Sequence, residues 1–155
     1  MKIAIGNDHA GVDLKFKIIK YLEEKGHQVK NFGTDKSESV DYPDHIHPVA
    51  ELISKSTNIL GVIICGSGNG AAMTANKNKN VRAALCWSEE ISVLARKHNN
   101  ANIISIPARY VSFEEAIMML EAFIKTPFEG GRHKNRVDKI SEVKQSWNIV
   151  IINLK

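Results

Sequence analysis

A cysteine at the end of an apolar run is followed at once by a glycine-punctuated turn, Cys65-Gly66-Ser67-Gly68-Asn69-Gly70-Ala71-Ala72. A thiolate can take a proton, and glycines let successive backbone N–H groups converge on an anion. The stretch therefore sets an acid/base beside an oxyanion site. If residues 69 to 76 open a helix, its positive end would favour both a bound oxyanion and a thiolate at Cys65. From these residues alone, a buried structural cysteine next to an ordinary strand-to-helix turn competes with that reading. Other groups could join the chemistry. Asp8-His9 offers a carboxylate and an imidazole, or merely a turn and cap. His98-Asn99 offers an imidazole that titrates near neutral pH beside an amide, or a polar helix end. Arg132 and Arg136 lie one helical turn apart, so both guanidinium groups can face one phosphate, with Arg109 as a third. Their alternative is a solvated basic helix, together with Lys134, Lys139 and Lys144.

These groups need elements to position them. Lys2–Ile5 reads as a strand, and Leu14, Ile18, Tyr21 and Leu22 share a face of a helix that ends at Gly26. Val29–Phe32 is a second strand; after a polar loop, Ile46, Val49, Ala50 and Ile53 line a helix with Pro43 near its start. Ile59–Ile64 is the third strand, Asn69–Asn76 a short helix and Val81–Cys86 the fourth strand. A helix over Ser88–Asn99 follows, with Ser88 as cap and acids in its first turn, then a fifth strand over Asn102–Ile106. A helix over Phe113–Lys125, capped by Ser112, leads through Pro127 and Gly130-Gly131 to a basic carboxy-terminal helix. Such alternation predicts a parallel sheet covered on both faces by helices, with ligands beyond the carboxyl ends of the strands. That rule gathers Asp8, His9, Cys65 to Gly70 and Arg109.

Composition narrows the function classes. At 155 residues the chain is long enough for one domain with a substantial core. The amino terminus turns polar too quickly for a secretory signal, and no long apolar segment interrupts the chain, so the expected location is the cytoplasm, with no membrane partner. Two cysteines, Cys65 and Cys86, make neither a disulfide framework nor a paired metal-ligand spacing. A formal charge of +4 and few aromatic residues argue against nucleic acid and for a small anionic substrate.

Several segments together carry a family resemblance. Gly6-Asn7-Asp8-His9-Ala10-Gly11, Asp41-Tyr42-Pro43, Cys65-Gly66-Ser67-Gly68-Asn69-Gly70, Ala75-Asn76-Lys77, Arg96-Lys97-His98-Asn99 and Glu129-Gly130-Gly131-Arg132-His133 resemble, in order and over residues 1 to about 140, the type B ribose-5-phosphate isomerases. The resemblance implies interconversion of ribose 5-phosphate and ribulose 5-phosphate, with galactose-6-phosphate and allose-6-phosphate isomerases as relatives. It implies a Rossmann-like three-layer α/β/α sandwich with a five-stranded parallel sheet in order 2-1-3-5-4. It also implies no metal or other cofactor, and a homodimer or tetramer with sites shared between subunits.

The resemblance assigns roles that the residues can fill. Aldose–ketose exchange through an enediolate needs a carbon base, oxyanion donors, a ring-opening acid/base and a phosphate anchor. Cys65 resembles the family's proton-abstracting base, the backbone of Gly66, Ser67, Gly68, Asn69, Gly70 and Ala71 the anion hole, and His98 the group that protonates the ring oxygen. Asn99 would hold a sugar hydroxyl, Asp8 and His9 would touch the sugar and assist ring opening or proton shuttling, with Asp8 and Ser67 joining Cys65 and His98 as catalytic residues, and Arg109, Arg132 and Arg136 would take the phosphate. Tyr42 is either a core aromatic or a ligand-facing residue. Some family members use a glutamate base at the position of Ala71; its absence here leaves the role to Cys65. Ser67 stands where many members carry threonine, and either supplies a hydroxyl.

Two rival classes fit less well. A nucleotide-binding regulatory module would use the Gly66–Gly70 turn as a phosphate cradle, but the spacing is not the dinucleotide fingerprint and follows the third strand. A metal protein would need His45 and His47, or His9 and His98; His-x-His on a helix diverges by about 200°. The apolar tail 147–155 departs from the family pattern and reads as an edge strand, an interface cover or a weakly ordered segment.

Overall fold

A computed structural model describes residues 1–142; the tail 147–155 lies outside the described residues. Five strands form the sheet: β1 (Lys2–Asn7), β2 (Gln28–Asn31), β3 (Ile59–Cys65), β4 (Ala83–Leu85) and β5 (Ile103–Pro107). All pairings are parallel, in the order β2-β1-β3-β5-β4, as the resemblance implied. Six helices cover it: α1 (Val12–Glu24), α2 (Tyr42–Ser54), α3 (Asn69–Ala75), α4 (Glu89–Asn99), α5 (Phe113–Lys125) and α6 (Arg132–Ile140).

The side-chain alternation of the strands splits the core into two layers. Ile3, Ile5, Val62, Ile64, Ile104 and Ile106 face Ile18 and Leu22 of α1 and Met119, Leu120 and Phe123 of α5. Ala4, Ile63, Cys65 and Ile103 face Ile46, Val49, Ala50 and Ile53 of α2 and Ala71 and Ala75 of α3. Burying each isoleucine is worth about 1.5–3 kcal/mol, so the central strands carry the sheet. The two thiols part company here: Cys65 packs in the α2/α3 layer and Cys86 in the other.

Local signals at the helix ends act as predicted. The Ser88 hydroxyl accepts the Ile91 N–H, and Ser112 and Glu115 form a reciprocal capping box. The chain leaves α1 through a bond from His27 N–H to Leu22 O and another from Gly26 N–H to Glu23 O. The strand boundaries differ from expectation: β1 runs two residues further, to Asn7, and β2 starts and ends one residue earlier. The fourth strand is three residues long, not the expected Val81–Cys86, because side-chain amides replace ladder partners at its entry: Asn102 Oδ1 accepts from Arg82 N and Asn76 Oδ1 from Ala83 N, both at 2.8 Å. Strands three and five each run one residue further than expected and pair to their ends, Cys65 beside Pro107.

Candidate active site

Cys65 is the last residue of β3, so its side chain emerges where that strand gives way to the turn. It is 5% exposed, and its Sγ accepts the Gly68 N–H at 3.1 Å. Gly68 has φ of 75°, a left-handed conformation, and a Cβ there would stand 2.4 Å from Leu85 Cδ1. Its carbonyl accepts a hydrogen bond from the buried Ser105 hydroxyl at 2.7 Å. The turn is thus clamped by β5 from below while Gly66, Ser67, Asn69 and Gly70 line its open side. Ser67 is exposed, its Oγ accepting the Asn69 N–H at 3.4 Å.

Neighbouring elements deliver further groups to the same end of the sheet. Asp8 follows β1; its N–H donates to Ile64 O at 3.1 Å, and its carboxylate accepts the Ala10 N–H at 2.9 Å, opening a single turn of 3-10 helix over His9–Gly11. Val40 N–H donates to His9 Nδ1 at 3.3 Å, which fixes the proton of a neutral His9 on Nε2. Tyr42 begins α2 and lays its ring against Gly70: a Cβ on that glycine would fall 2.6 Å from Tyr42 Cζ. Arg109 follows β5, its N–H donating to Gly66 O at 3.1 Å and its guanidinium lying over Gly66. The carboxyl-end rule therefore collects Asp8, His9, Tyr42, Cys65 to Gly70 and Arg109, with an acid, a hydroxyl, an imidazole and a guanidinium around the thiol.

His98, Asn99, Arg132 and Arg136 stand elsewhere. α4 runs antiparallel to the strands, from the carboxyl end of β4 back to the start of β5, and His98 and Asn99 are its last two residues. Asn102, four residues beyond His98, accepts the Gly61 N–H, and from Gly61 to Cys65 is four strand rises, about 13 Å. Sequence reasoning missed what surrounds His98. The His133 ring, from the first turn of α6, stacks on the His98 ring with centroids 4.2 Å apart and planes 4° from parallel. Glu129 N–H donates to Lys97 O at 3.0 Å, and its carboxylate meets Lys97 Nζ at 3.3 Å. The signal available in sequence was the pairing of Lys97-His98 with Glu129 and His133 as oppositely charged and aromatic partners near two chain reversals.

Electrostatics at this end follow from the cluster. Burial pushes the His133 imidazole below its ordinary pKa, as do the charges of His98, Arg132 and Arg136, with Glu129 opposing them. The hydrogen bond from Lys97 holds the Glu129 carboxyl below its ordinary value. Ligand atoms of His98, Glu129 and His133 lie within 4.8 Å of one another. Parallel stacked rings, however, keep their nitrogen lone pairs in planes that do not meet, so they do not converge on one ion as tetrahedral coordination requires. Arg132 and Arg136 are exposed on α6 at one-turn spacing and face no carboxylate among the described residues. One chain therefore carries two partial sites: a thiol and anion cradle at the carboxyl ends of the strands, and an imidazole with two guanidiniums at the other end. No helix among the described residues is long and apolar enough to cross a membrane.

Comparison with known proteins agrees with the geometry. Residues 3–140 match the family model described as Ribose/Galactose Isomerase. Ribose-5-phosphate isomerase B of Escherichia coli strain K12 is 38% identical over 147 residues, covering 95% of this chain and 99% of that protein. Among solved structures, ribose 5-phosphate isomerase from Thermotoga maritima is 45% identical with a TM-score of 0.88, covering 92% of this chain and 98% of that one. Ribose-5-phosphate isomerase B from Mycoplasma genitalium, solved with bound ribulose-5-phosphate, is 42% identical with a TM-score of 0.87, over 90% of this chain and 93% of that one.

Proposed function

The chain belongs to the ribose/galactose isomerase family and is an isomerase, and from that premise we propose that it interconverts D-ribose 5-phosphate and D-ribulose 5-phosphate through an enediolate, in the non-oxidative pentose phosphate pathway of the cytoplasm. Cys65 as thiolate removes the proton from C2 of the open-chain aldose, and the electron pair moves through C1 onto the carbonyl oxygen. Backbone N–H groups of the Gly66–Ala71 turn, with the Ser67 hydroxyl, hold the developing oxyanion. The Cys65 thiol returns the proton to C1, and the proton of the C2 hydroxyl passes to the O1 oxyanion, leaving a ketone at C2 and a hydroxyl at C1. Asp8 and His9 orient sugar hydroxyls, with Tyr42 at the rim, and Arg109 stands beside the cradle.

His98 opens the ring by protonating the ring oxygen, Asn99 holds a hydroxyl, and Arg132 and Arg136 anchor the phosphate, all from a second subunit. The observation that carries this reading is the separation of Cys65 and His98 to opposite ends of one sheet. A symmetric dimer can lay one chain's imidazole end over its partner's thiol end. The enzyme is accordingly a homodimer with shared sites, needing no cofactor. The test is turnover of ribose 5-phosphate, allose 6-phosphate and galactose 6-phosphate by the wild type and by Cys65→Ala. Pentose turnover should dominate and fall about 10²–10⁴-fold in the variant, the usual worth of a positioned acid/base. Full activity in Cys65→Ala would refute the mechanism, and faster hexose turnover would reassign the substrate.

A further inference from the structure

Where β3, β4 and β5 begin, a cleft of about 400 Å3 opens against the carboxyl end of α2. Two arginines line it: Arg82, just before β4, and Arg96, in the last turn of α4. Each spends part of its donor set on backbone carbonyls. Arg82 Nε donates to Asn100 O at 2.8 Å and Nη1 to Asn80 O at 3.5 Å. Arg96 Nε donates to Thr126 O at 3.3 Å, and Nη1 to Asn100 Oδ1 and to the Ala101 carbonyl. The Nη2 group of both has no partner among the described residues, and neither is a sealed atom.

Among the described residues no carboxylate compensates this charge. Among the described residues neither arginine forms an ion pair, and the only lysine lining the cleft, Lys55, is paired with Glu51 at 2.5 Å. Residues 143–155 contain no Asp or Glu. Burial lowers both guanidinium pKa values, and the charge of Arg82 lowers that of Arg96 further. Two half-buried like charges without a counter-ion cost free energy that an oxyanion between them would return through charge-assisted bonds to both free Nη2 groups. The amides of Asn80 and Asn102 and the hydroxyl of Thr57 add neutral polar groups to the wall.

We propose that this cleft is an anion site for a phosphate group, inorganic or as a monoester, bound between Arg82 and Arg96. Arg96 lies two residues from His98, about 200° round α4, so the cleft opens on another face of the helix from the His98–His133 stack. Because Arg82 holds Asn100 O and Arg96 holds Asn100 Oδ1, occupancy tightens the turn immediately after His98 and Asn99.

The test titrates inorganic phosphate against chloride of matched ionic strength, reading thermal midpoint and calorimetric binding. The Arg132→Ala/Arg136→Ala double variant is used as background, so that phosphate held by the sugar-phosphate anchor is removed. A saturable rise in midpoint should persist in that background. Thr57→Glu puts a carboxylate on the exposed rim without touching the arginines' backbone bonds, and should weaken phosphate binding about tenfold or more by repulsion. Arg82→Gln should abolish it; should that variant fail to fold, Thr57→Glu decides. Absence of a saturable phosphate effect in the double variant overturns the proposal, as does undiminished binding in Thr57→Glu. Neither result bears on pentose turnover by the wild type.

Discussion

Mixing two crippled chains should restore activity, by an amount that the geometry fixes. Cys65→Ala removes the thiol from one end of the sheet and His98→Asn the imidazole from the other, each expected to lower turnover about 10²–10⁴-fold alone. Cys65 closes β3 at its carboxyl end, four rises or about 13 Å beyond Gly61, whereas His98 lies in the last turn of α4, which leads into the start of β5. If one chain's thiol works with its partner's imidazole, random pairing of equal amounts makes half of the dimers mixed, and each mixed dimer has one site with both groups intact and one with neither. The recovered activity is then about one quarter of the wild type, because a two-fold axis generates two sites per dimer. The assay is ribulose 5-phosphate formation after co-refolding differently tagged variants, with tandem affinity purification to count mixed dimers. Purified mixed dimers should show about half of wild-type activity. Activity no higher than that of the separate variants, in dimers proven mixed, would refute the shared site.

Three further outcomes follow from particular contacts. Gly68→Ala should cost about 3 kcal/mol and lower the thermal midpoint by roughly 10 °C, since it adds left-handed strain to a 2.4 Å clash with Leu85; an unchanged midpoint would show that the turn yields. Lys15, fully buried, donates to Thr34 O at 2.7 Å and to the Asp35 carboxylate. Lys15→Met should therefore cost about 1–3 kcal/mol by denaturant titration. Asp35 is held below its ordinary pKa of 3.8, first by the Lys15 hydrogen bond, so its contribution is present above that pH and lost as pH falls through the lowered value; the variant should lose this acid limb. His133 has the opposite charge sense. Its folded pKa lies below the ordinary 6.5, so the unfolded chain binds the extra proton first and stability falls as pH drops below 6.5; thermal midpoints between pH 7.5 and 5.5 should flatten in His133→Asn.

The layered sheet was legible because both periodicities are clean: β-branched runs buried on two faces read as parallel strands, and Ser88 and Ser112 mark helix starts by a local bond. The carboxyl-end rule then located Asp8, His9, Cys65 and Arg109 together, since strand topology alone sets which loops meet. What escaped depended on contacts distant in sequence. The His98–His133 stack joins α4 to α6 across 35 positions, and no periodicity encodes a ring-to-ring approach. Lys15 was not singled out from the sequence, although its spacing to Ile18 and Leu22 places it on the buried stripe of α1; its ammonium is tolerated there because the Thr34 carbonyl and Asp35 receive it. β4 was overlong on paper because Asn76 and Asn102 act through side-chain amides, which hydropathy does not see.

The placement of the two cysteines in different core layers has a redox consequence. Cys65 pairs with β5 at Pro107, and Cys86 N–H donates to Ser105 O from the far side of the same strand. Two interstrand spacings, about 9.5 Å, separate them, beyond the roughly 7 Å between Cα atoms that a disulfide spans, and their side chains leave the sheet on opposite faces. Burial also raises the Cys86 pKa to about 11, leaving it protonated and unreactive at neutral pH. A sulfenic acid formed at Cys65 consequently has no resolving thiol in its own chain. Its reduction must come from an external thiol, and without one the oxidation runs on to forms that cannot be reversed.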